Sequence, residues 1–374
     1  MRTKDELQQA AYASFVAHDY KGLITAATGA GKSKLGIMAA EEVFERDGVA
    51  TDIVIVAPYV KLLTDNWPAE FNQWQCGHLL PFITFVTYAS FHKLPKKKRS
   101  LIIMDEVHHL TMLNIGFFKN NPQDRILMLT ATPPEEQEKK DLIGSLGPMI
   151  YTYSLDSAVS DKLVANYRIH IVDCFLDNKD KYIPGGKKTA PFMTTEASGY
   201  IFLDKQIKKA QIMQNPGWLQ ALIQKRMHMV YNLRSKTEIA KKLLAKLGAA
   251  ERVIIFCGSI AQADELGGPH VYHSKSNSIA LEDFKAGLIN RLFCVKALDE
   301  GHNIENVDTE VIIQASSVER QAVQRIGRAI RFREGHTARI FILSTEATVD
   351  KKWVLNSLMN FDVTKISHYS SNNL

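Results

Sequence analysis

The sequence predicts an α/β protein with two tandem domains, each a mostly parallel sheet flanked by helices. Three observations predict it. Short β-branched apolar runs alternate with helix-periodic stretches through the first half of the chain. The same alternation resumes near Val253. The length, 374 residues, suffices for two separate cores at roughly 100–200 residues per domain.

In the first half, apolar residues at helical spacing (Leu7, Ala10, Ala11, Phe15) predict a helix over Glu6–Val16. Gly22–Ala26, Ile53–Ala57, Phe82–Val86, Leu101–Met104 and Ile126–Leu129 read as buried strands, with helices over Lys32–Arg46 and Val60–Trp74. Ligands of such sheets bind outside the carboxyl ends of the strands, so the chemistry is expected there. In the second half, Asp156–Tyr167 reads as a short helix and connector, and Tyr167–Val172 alternates as a strand. Asp177–Thr195 is polar and reads as an exposed loop or hairpin. Tyr200–Met213, Gly217–Leu233 and Lys236–Leu247 carry helical spacing rich in Lys, Met and Gln; they read as amphipathic helices with solvated lysines, ahead of a basic arm on nucleic acid. Strands over Val253–Cys257 and Arg291–Val295 follow, with a helix over Ile260–Leu266.

Hydrophobic content of 45% and charged content of 23% fit a globular protein. No apolar run approaches the roughly 20 residues of a membrane span, and no apolar stretch follows the charged N-terminus as in a secretion signal. The four cysteines are scattered without a CxxC pair. Cys257 and Cys294 lie in apolar runs and read as buried reduced thiols, so a cytoplasmic location is expected and a structural zinc is not. The net charge of +6 suits a polyanionic partner without establishing one. The densest basic cluster, Lys96-Lys97-Lys98-Arg99, is a solvated loop or a phosphate contact.

Ala26-Ala27-Thr28-Gly29-Ala30-Gly31-Lys32-Ser33 lies between a predicted strand and a predicted helix. Strand, glycine-rich turn and helix in that order make a phosphate cradle: backbone N–H groups and the helix N-terminus face the anion, Lys32 reaches the β/γ-phosphates, and Ser33 can ligate Mg²⁺. The pattern asks for glycine at position 26, where alanine stands; the alternative is an ordinary Gly/Ser-rich turn. The strand Leu101–Met104 runs into Asp105-Glu106-Val107-His108. Downstream of a phosphate loop, Asp105 would hold Mg²⁺ and Glu106 would act as general base on the attacking water. The alternative is a helix N-terminus with acidic residues favouring its dipole. The next strand ends in Thr130-Ala131-Thr132-Pro133, whose hydroxyls can bond a neighbouring loop or His108.

Phosphate loop, DEVH and TATP in this order resemble the first RecA-like domain of superfamily 2 helicases and translocases. That resemblance implies two RecA-like domains with ATP in the cleft between them, and a missing first glycine is common there. It makes Gln8 the adenine-reading glutamine. It places nucleic-acid contacts at Pro58, within Val56–Trp67, and at Thr87 and Tyr88. In the second half it likens Gly258-Ser259 to a backbone-contacting loop. Leu298-Asp299-Glu300-Gly301-His302-Asn303-Ile304 resembles the family's fifth motif, placing Gly301 and Asn303 near the nucleotide. Two departures occur: Val295 stands where relatives often carry Thr or Ser, and Asn303 where Asp is frequent.

Gln324-Arg325-Ile326-Gly327-Arg328-Ala329-Ile330-Arg331 matches the sixth motif. On a helix Gln324, Arg328 and Arg331 share one face, which is either a solvated basic face or a pair of arginine fingers, Arg328 and Arg331, on the γ-phosphate. His108, Thr130, Thr132 and Gln324 are expected to couple hydrolysis to movement. The expected domains are residues 1–154 and 155–374, with a poorly matched, partly helical insertion at about 177–233. The forms around Gly301 and Arg328 look more like the restriction-subunit and DNA-repair branch than DEAD-box RNA helicases, which favours DNA. The expected function is therefore an ATP- and Mg²⁺-dependent DNA helicase or translocase, with a monomer expected. The alternatives are an RNA helicase and an ATP-gated clamp with little turnover; intact Lys32, Glu106 and the two arginines argue against the clamp.

Overall fold

The computed structural model describes residues 2–371 except 28, 120, 132–135, 188–189, 296–303, 305, 315–334 and 360. The chain separates into a unit ending at Asn166 and a second beginning at Tyr167. In the first, α1 (Lys4–Ala17) precedes β1 (Lys21–Ala26), and α2 (Lys32–Asp47) leads to β2 (Ile53–Ala57). Then come α3 (Trp67–Gln73), β3 (Ile83–Thr87), α4 (Tyr88–Phe91), β4 (Leu101–Met104), α5 (Met112–Lys119), β5 (Ile126–Thr130), α6 (Gln137–Gly144), β6 (Met149–Tyr153) and α7 (Leu155–Ser160).

The six strands lie in the order β3-β2-β4-β5-β1-β6, every pairing parallel. Because side chains alternate across a strand, the continuous apolar runs feed two cores. Ile53, Ile55, Ile103, Leu127 and Leu129 point to one, together with Leu35, Ala39 and Val43 of α2. Val54, Val56, Ile102, Met104, Ile126 and Met128 point to the other, against Phe117 and Ile143. Thr3 and Glu6 cap α1 reciprocally, each side chain accepting from the other's backbone N–H.

Two local features were not legible in the sequence. The helix expected over Val60–Trp74 is present from Val60 to Gln73, but its middle, Leu62–Asn66, is wound as a π-type turn ahead of α3. Pro68 has no N–H to give to the preceding turn, and the π-type winding lies directly before it. The edge strand β6 had no clear apolar run, since it is half-exposed and mixes Thr and Tyr with Met and Ile.

The second unit builds a seven-stranded sheet around β10 (Val253–Phe256). Its other strands are β7 (Asn166–Cys174), β11 (Val271–His273), β12 (Arg291–Val295), β13 (Thr309–Ile312), β14 (Thr337–Thr345) and β15 (Ile366–Ser370), in the order β11-β12-β10-β13-β14-β7-β15. Between β7 and β10 stand an antiparallel hairpin, β8 (Ile183–Lys187) with β9 (Ala190–Thr194), and α8 (Glu196–Ile212), α9 (Pro216–Tyr231) and α10 (Arg234–Lys246). All four cysteines are buried and reduced. Among the described residues no helix is long and apolar enough to cross a membrane.

Lys236 of α10 and Asp350 of the helix Val349–Ser357 form an ion pair at 2.7 Å with both side chains essentially inaccessible. Asp350 also accepts the Thr345 N–H at the end of β14, at 2.8 Å. Removing one partner leaves a buried charge uncompensated, which costs about 3–5 kcal/mol, whereas replacing both by apolar groups costs far less. Lys236→Met should therefore lower the urea midpoint strongly, and Lys236→Met with Asp350→Leu should restore much of it. Equal losses in the single and double variants would contradict this.

Candidate active site

Parallel pairing puts the carboxyl ends of all six strands of the first sheet on one edge. Because β1, β5 and β4 are consecutive neighbours, the loops that follow them converge. The loop after β1 is held by its own backbone: the Ala27 N–H donates to the Tyr153 carbonyl (3.0 Å) and the Ala30 N–H to the Ala27 carbonyl (3.1 Å). Gly29 and Gly31 adopt φ of +89° and +85°. At Gly31 a Cβ would also fall 2.2 Å from Gln8 Nε2, so only glycine fits. Gln8 is buried and donates to the Ala30 and Gly31 carbonyls, each at 3.4 Å, which ties α1 to the loop. Lys32 and Ser33 open α2, whose first N–H groups have no intrahelical partner, and Lys32 Nζ donates to the Ala26 carbonyl at 3.3 Å.

Asp105 and Glu106 follow β4 directly. Glu106 sits at φ 47° and ψ 56°, a left-handed conformation costly for any residue with a Cβ. Its N–H donates to Asp105 Oδ1 at 3.0 Å. Trp67 Nε1 donates to Asp105 Oδ2 at 3.2 Å, and the Tyr88 hydroxyl to the Asp105 carbonyl at 2.8 Å. Burial pushes the Asp105 carboxyl up to about 7, the adjacent Glu106 charge adding to the rise, while the Lys32 ammonium and the Trp67 N–H pull it down. Two carboxylates so placed call for a cation. Among the described residues no three His, Cys, Asp or Glu side chains gather as a metal site. The ion that fits is one completing its shell with water and phosphate, as Mg²⁺ does.

The loop after β5 joins this pair. Thr130 Oγ1 donates to Glu106 Oε2 at 3.3 Å and lies 3.1 Å from His108 Nδ1, itself 3.5 Å from Glu106 Oε2. A hydroxyl has one proton; with it directed to Glu106, His108 Nδ1 must be the donor to Thr130. The expected Thr130–His108 contact is therefore present, and it extends to Glu106.

Pro58 follows β2 and Thr87 ends β3 on the same edge. Tyr88 corrects the expectation of a nucleic-acid contact: its ring is buried and its hydroxyl is engaged by Asp105, so the side chain braces the acidic loop. The exposed aromatic nearby is Tyr59. In the second unit Ser259 caps α11 (Ile260–Gly267), accepting the Gln262 N–H at 3.2 Å, and the Gly258 N–H donates to Gln262 Oε1 at 2.8 Å. A Cβ at Gly258 would meet the Tyr231 carbonyl at 2.5 Å. Thr28, Thr132, Gly301, Asn303, Gln324, Arg328 and Arg331 lie outside the described residues.

The basic cluster Lys96–Arg99 is largely neutralised from within. Arg99 is buried against Asp52 at 2.8 Å, Lys97 pairs with Asp52 at 2.6 Å, and Lys98 with Asp124 at 2.5 Å. Sequence reasoning missed the groove beside Gln8: Tyr12 on α1 and Lys34, Met38, Glu41 and Glu42 on α2 line a cavity of about 430 Å³. The helical spacing of these residues was the available signal.

Residues 3–135 match the family model of the Type III restriction enzyme res subunit, and residues 235–333 that of the helicase conserved C-terminal domain. The chain is similar to the DNA 3'-5' translocase XPB2 of Sulfurisphaera tokodaii, 25% identical over 88% of this chain and 79% of that protein. Among solved structures it resembles the ATP-dependent Type ISP restriction-modification enzyme LlaBIII bound to DNA, with TM-score 0.62 and 15% identity over 99% of this chain and 31% of that one. It equally resembles Dbp5 of S. cerevisiae bound to RNA and ADP BeF3, with TM-score 0.62 and 12% identity over 98% of this chain and 90% of that one.

The Thr130–Glu106–His108 chain can be broken without a cavity by Thr130→Val, which removes one hydroxyl. If the chain couples sites, nucleic-acid stimulation of ATP turnover should fall severalfold while unstimulated turnover holds within about twofold; equal loss of both would make Thr130 merely structural.

The two family models, a relative that aligns along most of the length and two parallel-sheet domains of RecA-like fold together make this chain an ATP-using member of the superfamily 2 helicases and translocases, in the branch of the restriction subunits and DNA-repair motors.

Proposed function

We propose that the protein is a DNA translocase or helicase whose ATP turnover is set by Lys32, Asp105 and Glu106. The observation that carries this reading is the convergence of the loops after β1, β4 and β5, with Glu106 bonded to Thr130 and next to His108. Lys32 and the N–H groups of residues 29–33 would cradle the β- and γ-phosphates. Ser33 and Asp105 would hold Mg²⁺, which supplies charge neutralisation between the phosphates. Glu106 would orient and deprotonate the attacking water, and His108 and Thr130 would couple its carboxylate to nucleic-acid binding. Gln8 and the groove toward Tyr12 and Met38 offer a place for the base. Arg328 and Arg331 are the proposed stabilisers of the transition-state charge, a contribution of roughly 10³–10⁵ in rate elsewhere. Gln324 and Thr132 are proposed to join the coupling, Thr28 to line the phosphates, and Gly301 and Asn303 to lie near the nucleotide.

DNA is preferred because the relative that aligns along most of the chain is named a DNA translocase. The fold resemblance is equal to a DNA-bound and an RNA-bound neighbour, so it does not choose. Contacts at Pro58, Thr87, Gly258 and Ser259 would be to the backbone, giving little sequence preference. The deciding experiment is ATP turnover with single- and double-stranded DNA and RNA. Stimulation by DNA above RNA is expected, and the reverse would make the chain an RNA motor. In the same assay Glu106→Gln should lower turnover by roughly 10²–10⁴-fold with ATP binding retained; wild-type turnover would remove Glu106 as the base.

The raised Asp105 carboxyl gives a pH signature. Below about 7 the group carries a proton that Mg²⁺ must displace; above it the group is already charged. Apparent Mg²⁺ affinity in the turnover assay should therefore fall about tenfold per unit below pH 7 and level off above it. An affinity flat from acidic to alkaline pH would separate Asp105 from the metal.

A further inference from the structure

Residues 177–233 hold nine lysines and arginines against four aspartates and glutamates, a surplus of five in a chain whose total is six. Both family models leave this segment unmatched. Three of its four acids are spent on architecture, and the fourth, Asp180, is exposed. Glu196 is fully buried and accepts the Asp177 N–H (2.8 Å), the Ser235 N–H (3.0 Å) and the Tyr182 hydroxyl, anchoring the hairpin root to α8 and α10. Asp177 accepts the N–H groups of Lys179 and Asp180. Asp204 pairs with Arg226 at 2.8 Å and Lys208 at 3.1 Å, joining α8 to α9. Lys179, Lys181, Lys205 and Lys209 are exposed, with no carboxylate partner among the described residues.

The apolar residues of the segment divide as sharply. On α8, Gly199, Tyr200, Leu203, Ile207 and Ala210 point inward. The outward face carries Ile201, Phe202 and Ile212 between Lys205, Lys208 and Lys209. On the hairpin, Phe192 lies across from Gly185 and is 59% exposed, with Met193 on the opposite face at 57%. Phe202 is 58% exposed. Exposed rings interleaved with lysines suit a strand whose phosphates meet ammonium groups and whose unpaired bases have free faces. Paired bases offer no such faces, and uncharged apolar partners would leave the lysines without counter-charge.

We propose that the hairpin β8–β9 and the outward face of α8 form an arm that holds the single-stranded part of the nucleic acid. Lys179, Lys181, Lys205 and Lys209 bind phosphates, and Phe192 and Phe202 stack bases. The proposal rests on the chain's action on nucleic acid and adds a contact beyond the strand-end loops.

The test is fluorescence anisotropy of the full chain with labelled single-stranded and blunt duplex DNA across a salt series, with turnover in the absence of nucleic acid as the folding control. Replacing the four lysines by alanine should flatten the salt dependence for single strands by about 2–3 in log–log slope, at about 0.7 per phosphate contact. Phe192→Ala with Phe202→Ala should weaken single-strand binding by roughly tenfold or more, with the slope kept and duplex binding little changed. Basal turnover should stay at the wild-type level in both. An unchanged slope in the lysine variant, or unchanged single-strand affinity in the phenylalanine variant, overturns the arm. Failure of the unaltered chain to bind either DNA, or a labelled single-stranded RNA run beside them, would instead overturn the nucleic-acid reading beneath it.

Discussion

The parallel pairing of β1, β5 and β4 is the constraint on which the first unit depends. Each of these strands is buried on both faces, so none can shift by one residue without turning its side chains into the wrong core. That register fixes where each strand stops, and the stopping points fix the chemistry. Met104 pairs with Met128 and Thr25 with Thr130, so Asp105, Glu106 and Thr130 emerge beside the phosphate loop whatever their local preferences. The left-handed backbone at Glu106 is tolerated because the strand behind it cannot yield.

Much of this was legible in advance. The strands Ile53–Ala57 and Leu101–Met104 begin and end where their apolar runs do, because inner strands of parallel sheets have no polar face to blur them. Edge strands were harder. Met149–Tyr153 and Ile366–Ser370 are half-exposed, and their mixed side chains carry no distinct period. In the site, Lys32, Asp105 and Glu106 could be named from order along the chain. The braces could not: Trp67 and Tyr88 reach Asp105 from separate loops, and nothing in their own surroundings marks an aromatic N–H or O–H as destined for a carboxylate. Local charge density also misled in one place and informed in another. Lys97, Lys98 and Arg99 stand in sequence beside no acid, yet find Asp52 and Asp124 through the fold. The lysines of α8 sit in a longer stretch poor in acids, and there the surplus survives folding.

The two sheets are stabilised in different ways. The first relies on continuous apolar burial, with polar contacts gathered at the strand ends. The second adds buried charge: Lys236 with Asp350, and Glu196 among backbone donors. Buried polar groups of this kind contribute little net stability but exclude alternative packings in which they would be unpaired. They occur where α8 and α10 join the sheet, the junction that must hold the arm in one orientation.

The backbone at Glu106 has a consequence for how this protein could be improved. Glycine there would relieve a left-handed conformation worth on the order of 1 kcal/mol. It would also delete the carboxylate proposed to activate water. A selection for heat tolerance alone would thus drift toward glycine at this position, enriching sturdier chains that hold their fuel and never burn it.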